Sequence, residues 1–218
     1  MPNFEQIRGR YAEAHKQYGD TSAAQFTPKG RHEERFRPAI ELLKRGSFRS
    51  ILDYGCGLGF LLEHLIAERV PIEYTGWDIT PSFISSCNRR FGSIGNFKVI
   101  DPLAPLSGSF DAVVCSGVFN LSTSQDGPAS LEYVRTRLAS LLSIAREFLL
   151  CDFLSPYVDF TQPDAQHIDP STVVGWLIDL GFRRFQIRHD LLPYEYSILV
   201  FRNSQIIRPK NVYEDLLY

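Results

Sequence analysis

The sequence predicts an α/β fold: a doubly wound, seven-stranded, mostly parallel sheet with an antiparallel hairpin at one edge. Beyond residue 48, short apolar runs alternate with helical patterns, which is typical of βα units on a parallel sheet. Three of these runs are apolar almost throughout, as central strands are. The last two runs are separated by Leu191–Tyr194 alone, which is too short for a helical crossover. Those two strands must therefore be antiparallel.

Seven segments are predicted as strands. They are Arg49–Tyr54, Glu73–Trp77, Asn96–Ile100, Phe110–Cys115, Glu147–Leu154, Arg183–Asp190 and Glu195–Arg202. Between them, Thr80-Pro81 and Asp169-Pro170 are expected to begin helices, and Gly181 to end the second one. Before the first strand, Pro38 is expected to begin a helix that ends at Gly46.

The 218 residues are expected to form one domain with two appended segments. Residues 1–47 are a predicted N-terminal helical segment, residues 48–202 the α/β domain and residues 203–218 a C-terminal tail. Within the first segment, Tyr11–Lys29 is polar and weakly periodic. That pattern fits a lid over a pocket and a loose arm equally well.

The composition argues against nucleic acids, metals and membranes as binding partners. The net charge is -2, and no basic run is longer than a pair, so a nucleic-acid partner is not expected. The four cysteines are widely spaced and form no C-x-x-C motif, which indicates reduced thiols in a cytoplasmic protein and no metal site. No apolar run reaches the roughly 18 residues of a membrane span. We expect a cytoplasmic monomer or homodimer that does not contact membranes.

The most informative segment joins the first predicted strand to the helix after it. Gly55, Gly57 and Gly59 stand at every second position, where glycine allows a sharp turn and a close approach of a ligand to the main chain. The spacing differs from the G-x-G-x-x-G of dinucleotide sites. Asp53 precedes the turn, where a carboxylate would repel a phosphate and favour an ammonium or sulfonium group. The segment therefore predicts a cationic ligand.

Two further acids follow the next two predicted strands. Asp78 ends the second strand, where its carboxylate can accept both hydroxyls of a ribose. Asp101 follows the third strand and can accept a hydrogen bond from an adenine amino group.

Taken together, these residues resemble the class I S-adenosylmethionine-dependent methyltransferases, from about Phe48 to Arg202. The resemblance implies that residues 48–202 bind S-adenosylmethionine, with the Asp53–Gly59 loop on the methionine part, Asp78 on the ribose and Asp101 on the adenine. Arg35 is expected either to reach the methionine carboxylate or to pair with an acid one turn away. The remaining expected donor contacts are Cys56, Ile79, Pro102 and Ser116.

A closer resemblance is to a poorly characterised branch of this superfamily. In that branch the fourth strand ends in Ser-Gly-x-Phe-Asn and the fifth runs into Phe-Leu-Ser-x-Tyr-Val-Asp, as residues 116–120 and 153–159 do here. This branch implies no particular methyl acceptor.

Residues just beyond the fourth and fifth strands are expected to face the transferable methyl group. They are Asn120, Tyr157 and Asp159, each of which can equally cap a turn or pack at the rim. A hydroxyl acceptor benefits from a base. His189 is the first candidate for that base, with His167 and His32 as others, although a histidine is commonly a structural residue.

The sequence therefore predicts a methyltransferase acting on an oxygen or nitrogen of a small polar acceptor, such as a sugar, a sugar nucleotide or a natural-product intermediate. One alternative is an RNA or protein methyltransferase. Others are a non-catalytic cofactor-binding or scaffold protein and a nicotinamide dehydrogenase.

Overall fold

The computed structural model describes residues 3–27, 30–123, 127–162 and 164–202. Seven strands form a sheet in the order β3-β2-β1-β4-β5-β7-β6. Strands β1 to β5 are parallel to one another, whereas β7 is antiparallel to both β5 and β6. The predicted fold class is confirmed. The strands are β1 Ser50–Tyr54, β2 Glu73–Asp78, β3 Gly95–Val99, β4 Phe110–Cys115, β5 Ala145–Leu154, β6 Phe185–Leu192 and β7 Glu195–Phe201.

The edge hairpin is tighter than the sequence predicts. Strand β6 continues through Leu192, and β7 begins at Glu195, so the turn consists of Pro193 and Tyr194 alone. Leu192 pairs directly with Glu195 across this turn. The short turn fixes Glu195 at the end of the sheet where β5 also ends.

The helices lie between the strands and before β1. They are α1 Phe4–Tyr18, a short 3₁₀ helix Ser22–Gln25, α2 Arg31–Arg45, α3 Phe60–Ala67, α4 Pro81–Phe91, α5 Gly127–Ile144 and α6 Pro170–Asp179. Two helices begin at the proline that the sequence indicates, α4 after Thr80 and α6 after Asp169. The Asp169 carboxylate caps α6 by accepting from the Ser171 N–H at 2.8 Å.

The prediction that Pro38 begins a helix was wrong. Helix α2 begins seven residues earlier, at Arg31, and runs through Pro38 to Arg45. The missing N–H of Pro38 removes one helical hydrogen bond. The helix continues because Phe36, Ala39 and Leu43 form an apolar face that packs into the core beside α3. Tertiary packing outweighs the local signal here.

The sheet is covered on both faces, as the apolar runs predict. Successive residues of β1 enter opposite cores: Ile51 packs with α2 and α3, and Leu52 packs with α5 and α6. Burial of each large apolar side chain contributes roughly 1.5–3 kcal/mol, which makes the sheet a rigid support. The carboxyl ends of β1, β2, β4 and β5 therefore meet at one well-defined edge.

The N-terminal segment lies across that edge. The Asn3 N–H donates to the Thr123 carbonyl, and the Arg10 guanidinium pairs with the Asp164 carboxylate on the loop between β5 and α6. On the other side, Arg89 of α4 pairs with Asp20 at 3.0 Å. The segment from Asn3 to Asp20, which contains α1, is thus attached on both sides of the carboxyl edge. The predicted tail, residues 203–218, lies outside the described residues.

Within the described ranges, none of the helices has both the length and the apolar character needed to cross a membrane.

Candidate active site

A cavity of about 330 Å³ opens at the carboxyl ends of the strands, beneath α1 and the 3₁₀ helix. This volume is at the lower end of the range for small-molecule sites. One half of the cavity adjoins the carboxyl ends of β1, β2 and β3, where the sequence predicts the methyl donor, and we call it the donor half. The other half adjoins the carboxyl ends of β4 and β5 and the start of β7, where the sequence predicts the methyl acceptor, and we call it the acceptor half.

The glycine turn after β1 has left-handed backbone at all three glycines, with φ of 81° at Gly55, 53° at Gly57 and 79° at Gly59. The N–H groups of Gly55 and Cys56 both donate to the Trp77 carbonyl, at 2.7 and 3.0 Å, which fastens the turn to β2. A side chain at Gly57 would also collide with the 3₁₀ helix above the cavity, since its Cβ would lie 1.5 Å from Nε2 of Gln25. Glycine is required here for both conformation and space.

Asp78 connects the turn to the next strand. Its carboxylate accepts the Gly57 N–H at 2.9 Å and the Thr80 N–H at 2.7 Å. Burial raises the pKa of Asp78, and these backbone donors oppose that shift. The side chain lines the donor half. Each carboxylate oxygen keeps a further lone pair with which to accept a ligand hydroxyl.

Asp53 is buried at the end of β1, with 3% of its surface exposed. It accepts a hydrogen bond from the Tyr74 hydroxyl at 2.5 Å and lines the same half of the cavity. Burial, reinforced by the charge of Asp78, raises the pKa of Asp53 to about 7 despite the Tyr74 hydrogen bond. A cation bound beside Asp53 would favour its ionised form.

Arg35 pairs neither with an acid one turn away nor with any other residue of its own helix. Its Nε and Nη2 atoms each donate at 2.6 Å to Glu195, 160 residues further along the chain. Although burial disfavours its charge, the Asp152 and Glu195 carboxylates raise the pKa of Arg35. The remaining Nη1 lies near Gly117, and Arg35 lines the cavity.

Asp152, which the sequence analysis missed, holds the loop after β4. Its carboxylate accepts the Ser116 hydroxyl and, at 2.7 Å, the Gly117 N–H. Burial raises its pKa, and the Arg35 charge opposes the increase. The signal was present in the sequence, because Asp152 interrupts an otherwise apolar strand prediction.

The acceptor half contains two polar side chains that were sequence candidates. Asn120 lines it, and among the described residues its buried Oδ1 has no hydrogen-bond partner. His167 also lines it, with Nδ1 2.7 Å from the Ser155 carbonyl oxygen. Around them the lining is largely apolar, with Val118, Leu121 and Leu154 among its members.

Comparison with known proteins connects this geometry to a family. Residues 52–140 match the family described as "Methyltransferase domain". Over 161 residues the chain is 30% identical to "Putative methyltransferase Rv1506c" of Mycobacterium tuberculosis, and the match covers 71% of this chain and 94% of that protein. This chain belongs to the class I S-adenosylmethionine-dependent methyltransferases. As a member of that family it uses S-adenosylmethionine as its methyl donor.

Solved methyltransferases share the fold of this chain. Magnesium protoporphyrin IX methyltransferase from Synechocystis PCC 6803, crystallised with S-adenosylhomocysteine, has a TM-score of 0.68 at 18% identity, covering 92% of this chain and 100% of that one. The plantazolicin methyltransferase BpumL, in complex with a desmethyl analogue and S-adenosylhomocysteine, has a TM-score of 0.56 at 15% identity, covering 90% and 97% respectively.

The residues of this methyltransferase fit its donor. Asp53 and Asp78 offer buried carboxylates to the donor half, and Ile79, Ile100 and Pro102 offer apolar surface. Gln25 Oε1 lines the cavity as well, and within the described part of the chain it is buried without a hydrogen-bond partner. Unpaired buried polar atoms in a cavity call for a polar ligand.

One predicted donor contact lies elsewhere. Asp101 is exposed and does not line the cavity, because its carboxylate turns back to accept the Leu103 N–H at 2.9 Å. Its neighbours Ile100 and Pro102 line the donor half instead. An adenine at this place would therefore meet apolar surface, and the role of Asp101 stays a prediction without a cavity contact.

Three predicted catalytic residues of the methyltransferase also lie outside the cavity lining. Tyr157 is 62% exposed and its hydroxyl donates to Asp169 at 2.9 Å. His189, on the edge strand β6, is exposed and contacts the Tyr157 ring edge-on at 6.2 Å. Asp159 is exposed on the following loop. Their catalytic roles stay predictions that the cavity geometry does not support.

His32, the third histidine candidate, lines the cavity against the Phe60 ring at a centroid distance of 4.6 Å. Burial and the nearby Arg35 charge lower the pKa of His32 to about 3. It is therefore a neutral packing group at physiological pH.

Proposed function

We propose that this methyltransferase methylates an oxygen or nitrogen of a small, uncharged acceptor that has a largely apolar body. The acceptor would bind in the acceptor half of the cavity. Among the sequence expectations, this favours a natural-product intermediate over a sugar or a sugar nucleotide.

The observation that carries the proposal is the covering of the cavity. Helix α1 crosses the carboxyl edge and is attached to the acceptor side by the Asn3–Thr123 and Arg10–Asp164 contacts. Phe4 and Ile7, from the same helix, line the cavity. A small molecule fits beneath such a cover, whereas a folded RNA or protein would have to displace it. We therefore propose that residues 3–27 act as a lid.

The charges of the lining support an uncharged acceptor. Arg10 pairs with Asp164, Glu195 is paired with both Arg35 and Arg31, and the Asp152 carboxylate adds a second negative charge near Arg35. Since these charges are already compensated, a charged acceptor would have to break an existing ion pair. The neutral polar groups Asn120 and His167 remain to orient the acceptor.

The donor would lie along the glycine turn. S-adenosylmethionine supplies a methyl group on a positively charged sulfur. We assign Asp78 to the ribose hydroxyls, Asp53 to the ammonium group, and Arg35 Nη1 to the methionine carboxylate. By holding both reactants beneath the lid, the protein aligns them and excludes water, which are its main contributions to an in-line displacement.

Both structural relatives described above are named for small-molecule acceptors, a porphyrin and plantazolicin. These names support the size class of the acceptor and no particular compound.

The test is to supply S-adenosylmethionine with a deuterated methyl group together with a cell-free small-molecule extract, total RNA or total protein. Mass spectrometry then locates the label, and Asp78→Ala serves as the control lacking a donor contact. We expect label in a small molecule, and less of it from Asp78→Ala than from the wild type when the donor is limiting. Label in RNA or protein, absent from small molecules, would contradict the proposal.

A further inference from the structure

His167 is held in one orientation by the backbone around it. The Ile168 N–H donates to the Leu154 carbonyl at 3.1 Å, and Leu154 and His167 form a parallel β-bridge. The segment before helix α6 thus extends the carboxyl end of β5. This pairing directs the imidazole into the acceptor half of the cavity.

The hydrogen bond to Ser155 determines where the neutral imidazole carries its proton. A carbonyl oxygen can only accept, so Nδ1, at 2.7 Å from it, must be the protonated nitrogen. Nε2 of the neutral ring then carries a lone pair. A base oriented by a backbone acceptor on its other nitrogen is the arrangement that general-base catalysis requires.

A second strand-like pairing brings Asn120 to the same wall. Leu121 pairs with Ala165 in an antiparallel bridge, and the Gln166 N–H donates to the Asn120 carbonyl at 2.9 Å. The buried Oδ1 of Asn120 lacks a partner among the described residues, so it requires a hydrogen-bond donor from a ligand. The acceptor half therefore offers two atoms that accept a proton or a hydrogen bond.

The charged groups around His167 are engaged with other partners. On the same loop, Asp164 pairs with Arg10, and Asp169 caps helix α6 and accepts the Tyr157 hydroxyl. On the facing strand, Glu195 is paired with Arg35. Among the described residues, the imidazole of His167 forms no ion pair, so the lone pair on Nε2 is available to a ligand.

From this geometry we infer that His167 is the general base and that the acceptor atom is a hydroxyl oxygen. The inference rests on the proposed function, because it assumes a small acceptor inside the cavity. The acceptor oxygen forms a bond to the methyl carbon while the carbon–sulfur bond breaks and leaves its electron pair on sulfur. The hydroxyl proton passes to Nε2 of His167, which becomes an imidazolium and later releases the proton to water.

The first test needs no acceptor. NMR of the imidazole nitrogens, in the protein bound to S-adenosylhomocysteine, reports the tautomer of His167 and the pH at which it loses its second proton. We expect the proton on Nδ1 and an unprotonated Nε2 at pH values above that midpoint. A proton on Nε2 of the neutral ring would overturn the inference, whatever the acceptor is.

The second test uses matched pairs of small aromatic acceptors that differ only in a hydroxyl or an amine. With the hydroxyl member, His167→Ala and His167→Gln should lower kcat/KM by roughly 100-fold or more, because a positioned base contributes about that much. The wild-type kcat/KM should rise with pH at the same midpoint that NMR gives for His167. With the amine member, the loss should stay within about threefold.

Two controls separate this inference from the proposed function. His64→Gln, on α3 outside the cavity lining, should keep wild-type kcat/KM. Both His167 variants should bind S-adenosylhomocysteine as the wild type does in calorimetry. Equal rates for His167→Ala and wild type on the hydroxyl member would overturn the base. Methyl label found only in RNA or protein would overturn the proposed function instead, while the tautomer result would still stand.

Discussion

Replacing Asp53 by asparagine should make the protein more stable at high pH and poorer at binding its donor. The pKa of Asp53 is raised to about 7, whereas the ordinary value is 3.8. Because the folded protein binds this proton more tightly than the unfolded chain does, protonated Asp53 adds to the free energy of unfolding. This contribution is complete below about pH 3.8 and is lost as the pH rises through about 7. Above pH 7 the folded state therefore keeps an ionised carboxylate that is costly to bury.

The magnitude follows from linkage. Between about pH 5.5 and about pH 7 the folded protein holds one proton that the unfolded chain has released, at about 1.4 kcal/mol per pH unit. The stability gain of Asp53→Asn should therefore be roughly 2 kcal/mol larger at about pH 8 than at about pH 5.5. Asparagine can still accept the Tyr74 hydrogen bond, so the difference reports the charge rather than lost contacts.

Urea unfolding at both pH values measures this difference, with the exposed Asp190→Asn as control. Calorimetry should show that Asp53→Asn binds S-adenosylhomocysteine roughly 10- to 100-fold more weakly, since a hydrogen bond to a charged group contributes about 1.5–3 kcal/mol. The wild-type affinity should rise with pH through the pKa of Asp53 and the variant's should not. A stability gain equal at both pH values would refute the reasoning.

Three further predictions follow from the same contacts. Asp78→Ala should weaken S-adenosylhomocysteine binding by roughly 1–3 kcal/mol in calorimetry, and unchanged affinity in a folded variant would remove its ribose role. Gly57→Ala should lower the unfolding free energy by about 1–2 kcal/mol in urea titrations, because φ at Gly57 is 53°. The control Gly175→Ala, inside α6, has open space for the methyl group and should be neutral or stabilising. Equal effects of the two substitutions would contradict the strain argument. Glu195→Gln should cost roughly 3–5 kcal/mol because it leaves a buried guanidinium without its charged partner, and a loss below about 1 kcal/mol would show that the pair is not buried in solution.

The sequence predicted the fold, and it directed attention to Asp53 and Asp78, which line the donor half, because both inferences depend on local patterns. Alternating apolar runs indicate the strands, and the glycine turn and Asp78 follow consecutive strands whose order the fold class already implies. Pro38 shows the limit of such signals, since the helix start that it indicates locally gave way to the apolar face of α2, which begins at Arg31.

The acceptor half could not be predicted in the same way. It is assembled by contacts between distant segments, such as Arg35 with Glu195 and the pairing of Leu121 with Ala165. No local pattern indicates these contacts. The choice among histidines was equally open, because only the tertiary structure places His167 in the cavity and leaves His189 exposed.

A crystal structure with bound S-adenosylhomocysteine tests the central claim most directly. It should show the ribose hydroxyls on Asp78, the amino group beside Asp53, and the sulfur facing the wall that carries Asn120 and His167. Nε2 of His167 should then lie within roughly 8 Å of the sulfur, the span of a methyl group and one hydrogen-bonded acceptor oxygen. A sulfur directed away from this wall, or a ligand that leaves Asp78 untouched, would contradict the account.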